Sequence, residues 1–109
     1  MNEEQDLIDD NNELIAIFDG WELVNENNIA CFWKNGYHLY HYELDYHSDW
    51  NRLRRIWEKF RDLTFNGDLK AEVDHAHFRQ NIAHCICYRD IESAHQSIVS
   101  GIQWYNSIK

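Results

Sequence analysis

Positive charge is scarce in this chain. Ten Lys and Arg stand against nineteen Asp and Glu in 109 residues, a formal net charge of −9. Duplex DNA and anionic membranes are held by clustered cations, so the composition runs against both as partners. Cysteines number only three, an odd count that reads as reduced thiols and not as a disulfide framework. Cys85 and Cys87 share a face of an expected strand but lack the spacing of a CxxC redox pair, which suits small buried hydrophobes. Four glycines leave little room for a Gly-rich phosphate loop, and no paired-carboxylate pattern stands out. No apolar run approaches the roughly 20 residues of a membrane span and no signal peptide opens the chain, so the cytosol is the expected compartment. Repeats, low-complexity tracts and linkers are likewise missing.

What is present is aromatic and apolar. Hydrophobic residues make up 44% of the chain, with five Trp, six Tyr and five Phe, enough for one core without staples. Residues 1–10 read as a flexible acidic N-terminus and residues 11–109 as a single domain. Asn11 or Asn12 is placed to cap a helix through Leu14, Ile15 and Phe18, and Gly20 to stop it in the left-handed region. Trp21 and Leu23 alternate as in a short strand, and Asn25 to Asn28 read as a turn.

Ile29 to Lys34 and Tyr37 to Leu44 flank Asn35-Gly36, the strongest two-residue hairpin signal. A type I′ turn pairs Lys34 with Tyr37 and Trp33 with His38. Ile29, Cys31, Trp33, His38, Tyr40 and Tyr42 then share one face, and Ala30, Phe32, Lys34, Tyr37, Leu39 and His41 the other. Neither face is cleanly polar, so both are expected to be covered. Ser48 and Asp49 supply a helix start for an amphipathic stripe of Trp50, Leu53, Ile56, Trp57, Phe60 and Leu63, ended by Asn66-Gly67. Lys70 to Phe78 and Ile82 to Tyr88 read as a second strand pair around Arg79–Asn81. A last helix starts at Asp90, with Gly101 on its core stripe. The expected fold is α+β: a four-stranded, mostly antiparallel sheet packed with three amphipathic helices, in the order α-β-β-α-β-β-α.

Asn12-Glu13-Leu14-Ile15-Ala16, Gly20-Trp21, Asp45 to Leu53 (DYHSDWNRL) and Gly101 to Asn106 (GIQWYN) together carry a family resemblance. The chain resembles the small bacteriophage and prophage proteins of the phage ABA-sandwich domain family, from Asn12 onward and most weakly over Val73 to Tyr88. The resemblance implies a sheet sandwiched between helices, a phage origin, work in the host cell cytosol and no established catalytic residues.

Three constellations could carry chemistry. His75 and His77 share a side of the expected strand, and His84 joins them if Gln80-Asn81 is the turn, giving three imidazoles able to hold Zn²⁺ with a position left for water. Arg52, Arg55 and Lys59 lie on one flank of the second helix, and Arg54 and Arg61 on the other, as a phosphate-receiving patch or an ordinary solvated face. Trp33, Tyr37 and the off-stripe Trp104 are candidates for base stacking or an interface, set against core packing. Tyr46-His47-Ser48-Asp49 holds His, Ser and Asp too close together to align as a triad, so capping explains it.

These features point to binding more than catalysis. The expected activity is that of a phage accessory protein antagonising host defence. It would sequester a small anionic ligand such as a signalling nucleotide, or engage a host protein, as a homo-oligomer with no cofactor. Arg52, Arg55, Arg79 and Arg89 would meet phosphate, with Trp33, Tyr37 and Trp104 stacking. The alternatives are a metal-dependent hydrolase on His75, His77 and His84, or a structural or regulatory phage protein working through protein contacts alone.

Overall fold

The structure, a computed structural model, describes residues 3–26, 29–40 and 43–109. Helix α1 (Glu3–Phe18) buries Asn12, Ile15 and Ala16, and Asp19 just past its end continues the same face. The cap expected at Asn11 or Asn12 is not there: the helix starts at Glu3, and the Asn12 side chain is committed to other elements (below). Gly20 ends the helix at φ +97, with Trp21 N–H donating to Ala16 O at 2.9 Å, the left-handed stop that a missing Cβ permits.

Strands β1 (Glu22–Glu26), β2 (Ile29–Lys34) and β3 (Tyr37–Tyr40) form an antiparallel meander in the order β1-β2-β3. Trp33 pairs with His38 and Lys34 with Tyr37, and Asn35 and Gly36 both have positive φ, the type I′ geometry expected of Asn-Gly. Cys31 and Phe32, on opposite faces, are both buried, so both sides of this strand are covered. His41 and Tyr42, and Asn27-Asn28 of the expected turn, lie outside the described residues, as do the side chains of Ile29 and Ala30.

Helix α2 (Trp50–Arg61) is capped by Asp49, whose carboxylate accepts from the backbone N–H of Asn51 and Arg52. Its apolar stripe buries Leu53, Ile56 and Phe60. The next segment overturns the expected architecture. Residues 69–87, read as two strands, form one helix, α3 (Leu69–Cys87), capped by Asp68. The sheet therefore has three strands, not four; there are four helices, not three; and the order is α-β-β-β-α-α-α. The reason lies in spacing. Ala71, His75 and Ile82 are buried, with Phe78, Cys85 and Ile86 packed on the core, which follows a 3.6-residue period across the whole segment. Nothing at Arg79-Gln80-Asn81 breaks a helix, and Arg and Gln favour one.

Helix α4 (Ile91–Ile108), capped by Asp90, packs against α1, α2 and α3. It meets all three other helices, whereas the expected fold packs its helices on a sheet. Its Ala94, Ile98, Val99 and Ile102 join Ile15, Phe32, Leu44, Tyr46, Leu53, Ile56, Phe60 and Ile82 in one core. At Gly101 a Cβ would lie 2.9 Å from Phe60 Cζ, so the close crossing of α4 and α2 depends on that missing side chain.

Candidate functional site

The three imidazoles do not converge. Residues two apart on a helix point about 200° apart, so His75 and His77 face opposite ways. His75 is buried, 2.7 Å from Phe60 O through Nε2, among the rings of Phe60 and Phe65 at 4.9 and 5.0 Å. His77 is exposed, and the His84 ring lies against that of Tyr88, tilted, at 4.6 Å. Among the described residues no group of three or more His, Cys, Asp or Glu side chains could hold a metal ion. Cys85 and Cys87 also part: Cys85 Sγ lies 3.6 Å from Ser97 Oγ, and Cys87 is exposed.

Three of the four expected phosphate-binding arginines divide between two clefts on opposite flanks of α2. One, of about 420 Å³, lies toward the hairpin and is lined by Trp21, Lys34, Tyr37, Tyr46, Arg52 and Arg55, among others. It gathers Arg52, Arg55 and Tyr37, yet its cations are engaged from behind. Buried Asp19 presents Oδ2 to Lys34 at 3.4 Å and to Arg55 at 3.2 Å. Arg52 donates to Glu43 O at 3.1 Å and pairs with Asp45 at 3.0 Å. These contacts tie the hairpin and the 43–49 segment to α2. Burial, then the nearby Asp19 charge, pushes the Tyr46 hydroxyl up to about 12, so it stays a neutral donor.

Behind that segment sits an amide–imidazole node that the sequence did not reveal. Asn12 Nδ2 donates to Leu44 O at 2.8 Å and lies 2.9 Å from His47 Nδ1. Asn12 Oδ1 is 2.9 Å from His95 Nε2. One assignment satisfies all three contacts: His47 Nδ1 is bare and accepts, while His95 Nε2 carries its proton and donates. Burial, reinforced by nearby His47, lowers the His95 pKa to about 4, so it is neutral near pH 7.

The second cleft, about 610 Å³, lies between α2 and the end of α3 and is lined by Trp50, Asn51, Leu53, Arg54, Trp57, Ile86 and Arg89. Spacings of four and three residues put Trp50, Arg54 and Trp57 on one face of α2. Among the described residues Arg54 meets only Glu58, at 3.6 Å, with its side chain 75% exposed. Arg89 is the residue after the Tyr88 C-cap and holds φ +56, a left-handed conformation that costs a non-glycine residue about 1 kcal/mol. Its side chain is exposed and makes no ion pair or side-chain hydrogen bond among the described residues. Glycine is the ordinary occupant of such a position. Arg89 is among the residues expected to meet phosphate; its left-handed place just past a helix cap follows only from α3 ending at Cys87.

The remaining expected residues lie elsewhere. Trp104 packs on Phe65 and Phe78 at 5.5 and 5.3 Å, which accounts for its place off the α4 stripe. Trp33 is half-buried against His38 at 5.2 Å. Arg79 is half-buried, and its Nε has no partner. Compared with family models, curated proteins and solved structures, the chain matches none.

Proposed function

We propose that this chain binds a small anionic ligand with a flat ring in the cleft between α2 and α3, and acts by holding it. The observation that carries this reading is Arg89. A guanidinium in a backbone position suited to glycine, without an acidic partner among the described residues, lines the cleft of about 610 Å³ and is left free to meet an anion. Arg54 lines the same cleft, and two forked guanidiniums suit the oxygens of a phosphate or carboxylate. Trp50 and Trp57 supply faces on which a base or similar ring stacks. A volume of about 610 Å³ falls in the range of small-molecule sites.

No nucleophile, base and oxyanion donors converge in this cleft, so it is a place to hold a molecule, not to transform it. With the phage resemblance, the reading becomes an accessory protein that antagonises host defence by sequestering a signalling nucleotide. Arg52 and Arg55, the first candidates for phosphate, serve instead to join elements. The test is a thermal-shift and calorimetric panel of inorganic phosphate, mononucleotides and cyclic mono- and dinucleotides. A ligand at 100 times its Kd stabilises the fold by about 2.7 kcal/mol, and Arg54→Ala should abolish most of that shift. A panel that leaves the melting temperature unchanged contradicts the proposal and favours a protein-contact role.

A further inference from the structure

The outer face of α3 differs from every other helical surface of the molecule. Opposite its buried stripe run Val73, His77, Gln80, His84 and Cys87, all exposed. Their spacing is four, three, four, three, that of the seam along which two helices pack. Leu69 and Tyr88 extend the strip at its ends, 75% and 74% exposed. From His75 to Tyr88 the helix and its cap carry one formal charge, Arg79. By contrast, the exposed surface of α1 sets Leu7 and Ile17 among the acids Glu4, Asp6 and Asp10, and that of α2 carries Arg54, Arg55, Lys59 and Arg61. The outer face of α4 is also poor in charge, but Gln96, Ser100 and Gln103 offer nothing apolar.

Two copies of a chain with formal charge −9 repel each other over most of their surface. An acid-free strip with seam spacing is where that repulsion is least and apolar contact is available. The strip is also self-complementary about its middle. With a two-fold axis through Gln80 and the helices antiparallel, Val73 meets Cys87 of the second copy, His77 meets its His84, and the Gln80 amides meet each other, one N–H donating to the other's carbonyl. From Val73 to Cys87, along about 21 Å of helix, like chemistry meets like. We propose that this face of α3 is a homodimer seam, occupied by a second copy of the same chain packed antiparallel about Gln80.

The inference does not depend on the ligand cleft and is tested without ligand. Sedimentation velocity over a concentration series should show the chain passing from its own mass to twice that mass. Val73→Glu, and Gln80→Glu, which sets two like charges on the axis, should each raise the dimer dissociation constant at least about tenfold. Both positions are exposed, so circular dichroism should find the fold intact. A short thiol cross-linker gives the orientation. Cys87 lies seven residues from the axis, about 20 Å from its counterpart in the second copy, so the wild type should not cross-link. Gln80→Cys should. A monomer throughout the series, a dimer indifferent to both glutamates, or cross-linking through Cys87 alone would each overturn the proposal.

Discussion

The two clefts beside α2 use the same residue types to opposite ends. On the hairpin side, Lys34, Arg52 and Arg55 line the cleft, but Asp19, Asp45 and the Glu43 carbonyl hold them from behind. On the α3 side, Arg54 has one weak exposed partner and Arg89 has none among the described residues. An arginine that already has its carboxylate acts as a strut, and a ligand would have to displace that partner to use it. An unpaired arginine on a strained backbone is neither strut nor cap, and its exposed charge is free for a guest. Counting basic residues in a cleft is therefore a poor guide. What they already touch decides.

Several changes would break or sharpen that contrast. The largest effects fall on the hairpin side. Asn12→Ala leaves the Leu44 carbonyl and the His95 N–H without their buried partner, at about 1–3 kcal/mol each. A total loss of about 3 kcal/mol is expected, read as a lower urea midpoint at unchanged slope. A drop below about 1 kcal/mol would mean that the node is not structural.

Acid should act through the same node. His95 has a folded pKa near 4, below the roughly 6.5 of an unfolded histidine. The unfolded state binds the proton first, so this stability is complete above about pH 6.5 and is lost as pH falls toward 4. Between pH 7.5 and 5 the loss should be about 2 kcal/mol, measured by urea unfolding. His95→Gln, which keeps a donor, should remove that part of the slope.

Asp19→Asn comes next. It frees Lys34 and Arg55, both partly exposed, and should cost about 1–2 kcal/mol in unfolding free energy. Ligand affinity in the α3-side cleft should be unchanged. Affinity that fell in step with stability would erase the distinction between the clefts.

The smallest effect on stability belongs to Arg54→Ala, within about 0.5 kcal/mol because its one ion pair is exposed. Its effect on binding should nonetheless be at least about tenfold, the scale of a lost charge-assisted contact.

How legible these features are in the sequence depends on how local their causes are. The β2–β3 hairpin follows from Asn35-Gly36 alone, and α2 from Asp49 with a stripe repeated over three turns. The α3 segment was misread because HAHF and CICY alternate convincingly over four residues, whereas the helical period from Ala71 to Ile86 emerges only over the whole span. That error carried the histidines with it, since a strand gathers residues two apart and a helix separates them. Arg52 and Arg55 line one cleft beside α2. Their engagement was not visible, because Asp19 lies 36 residues from Arg55 in the chain. Asn12 looked like a cap for the same reason, its partners His47 and His95 being 35 and 83 residues away.

The account rests most directly on Arg89→Gly, measured for stability and for binding in the same preparation. Relief of the left-handed strain should raise the unfolding free energy by about 0.5–1 kcal/mol, while affinity for the ligand found in the nucleotide and phosphate panel should fall at least about tenfold. A variant that is more stable and binds as well as the wild type would contradict the claim that Arg89 is held there to meet an anion.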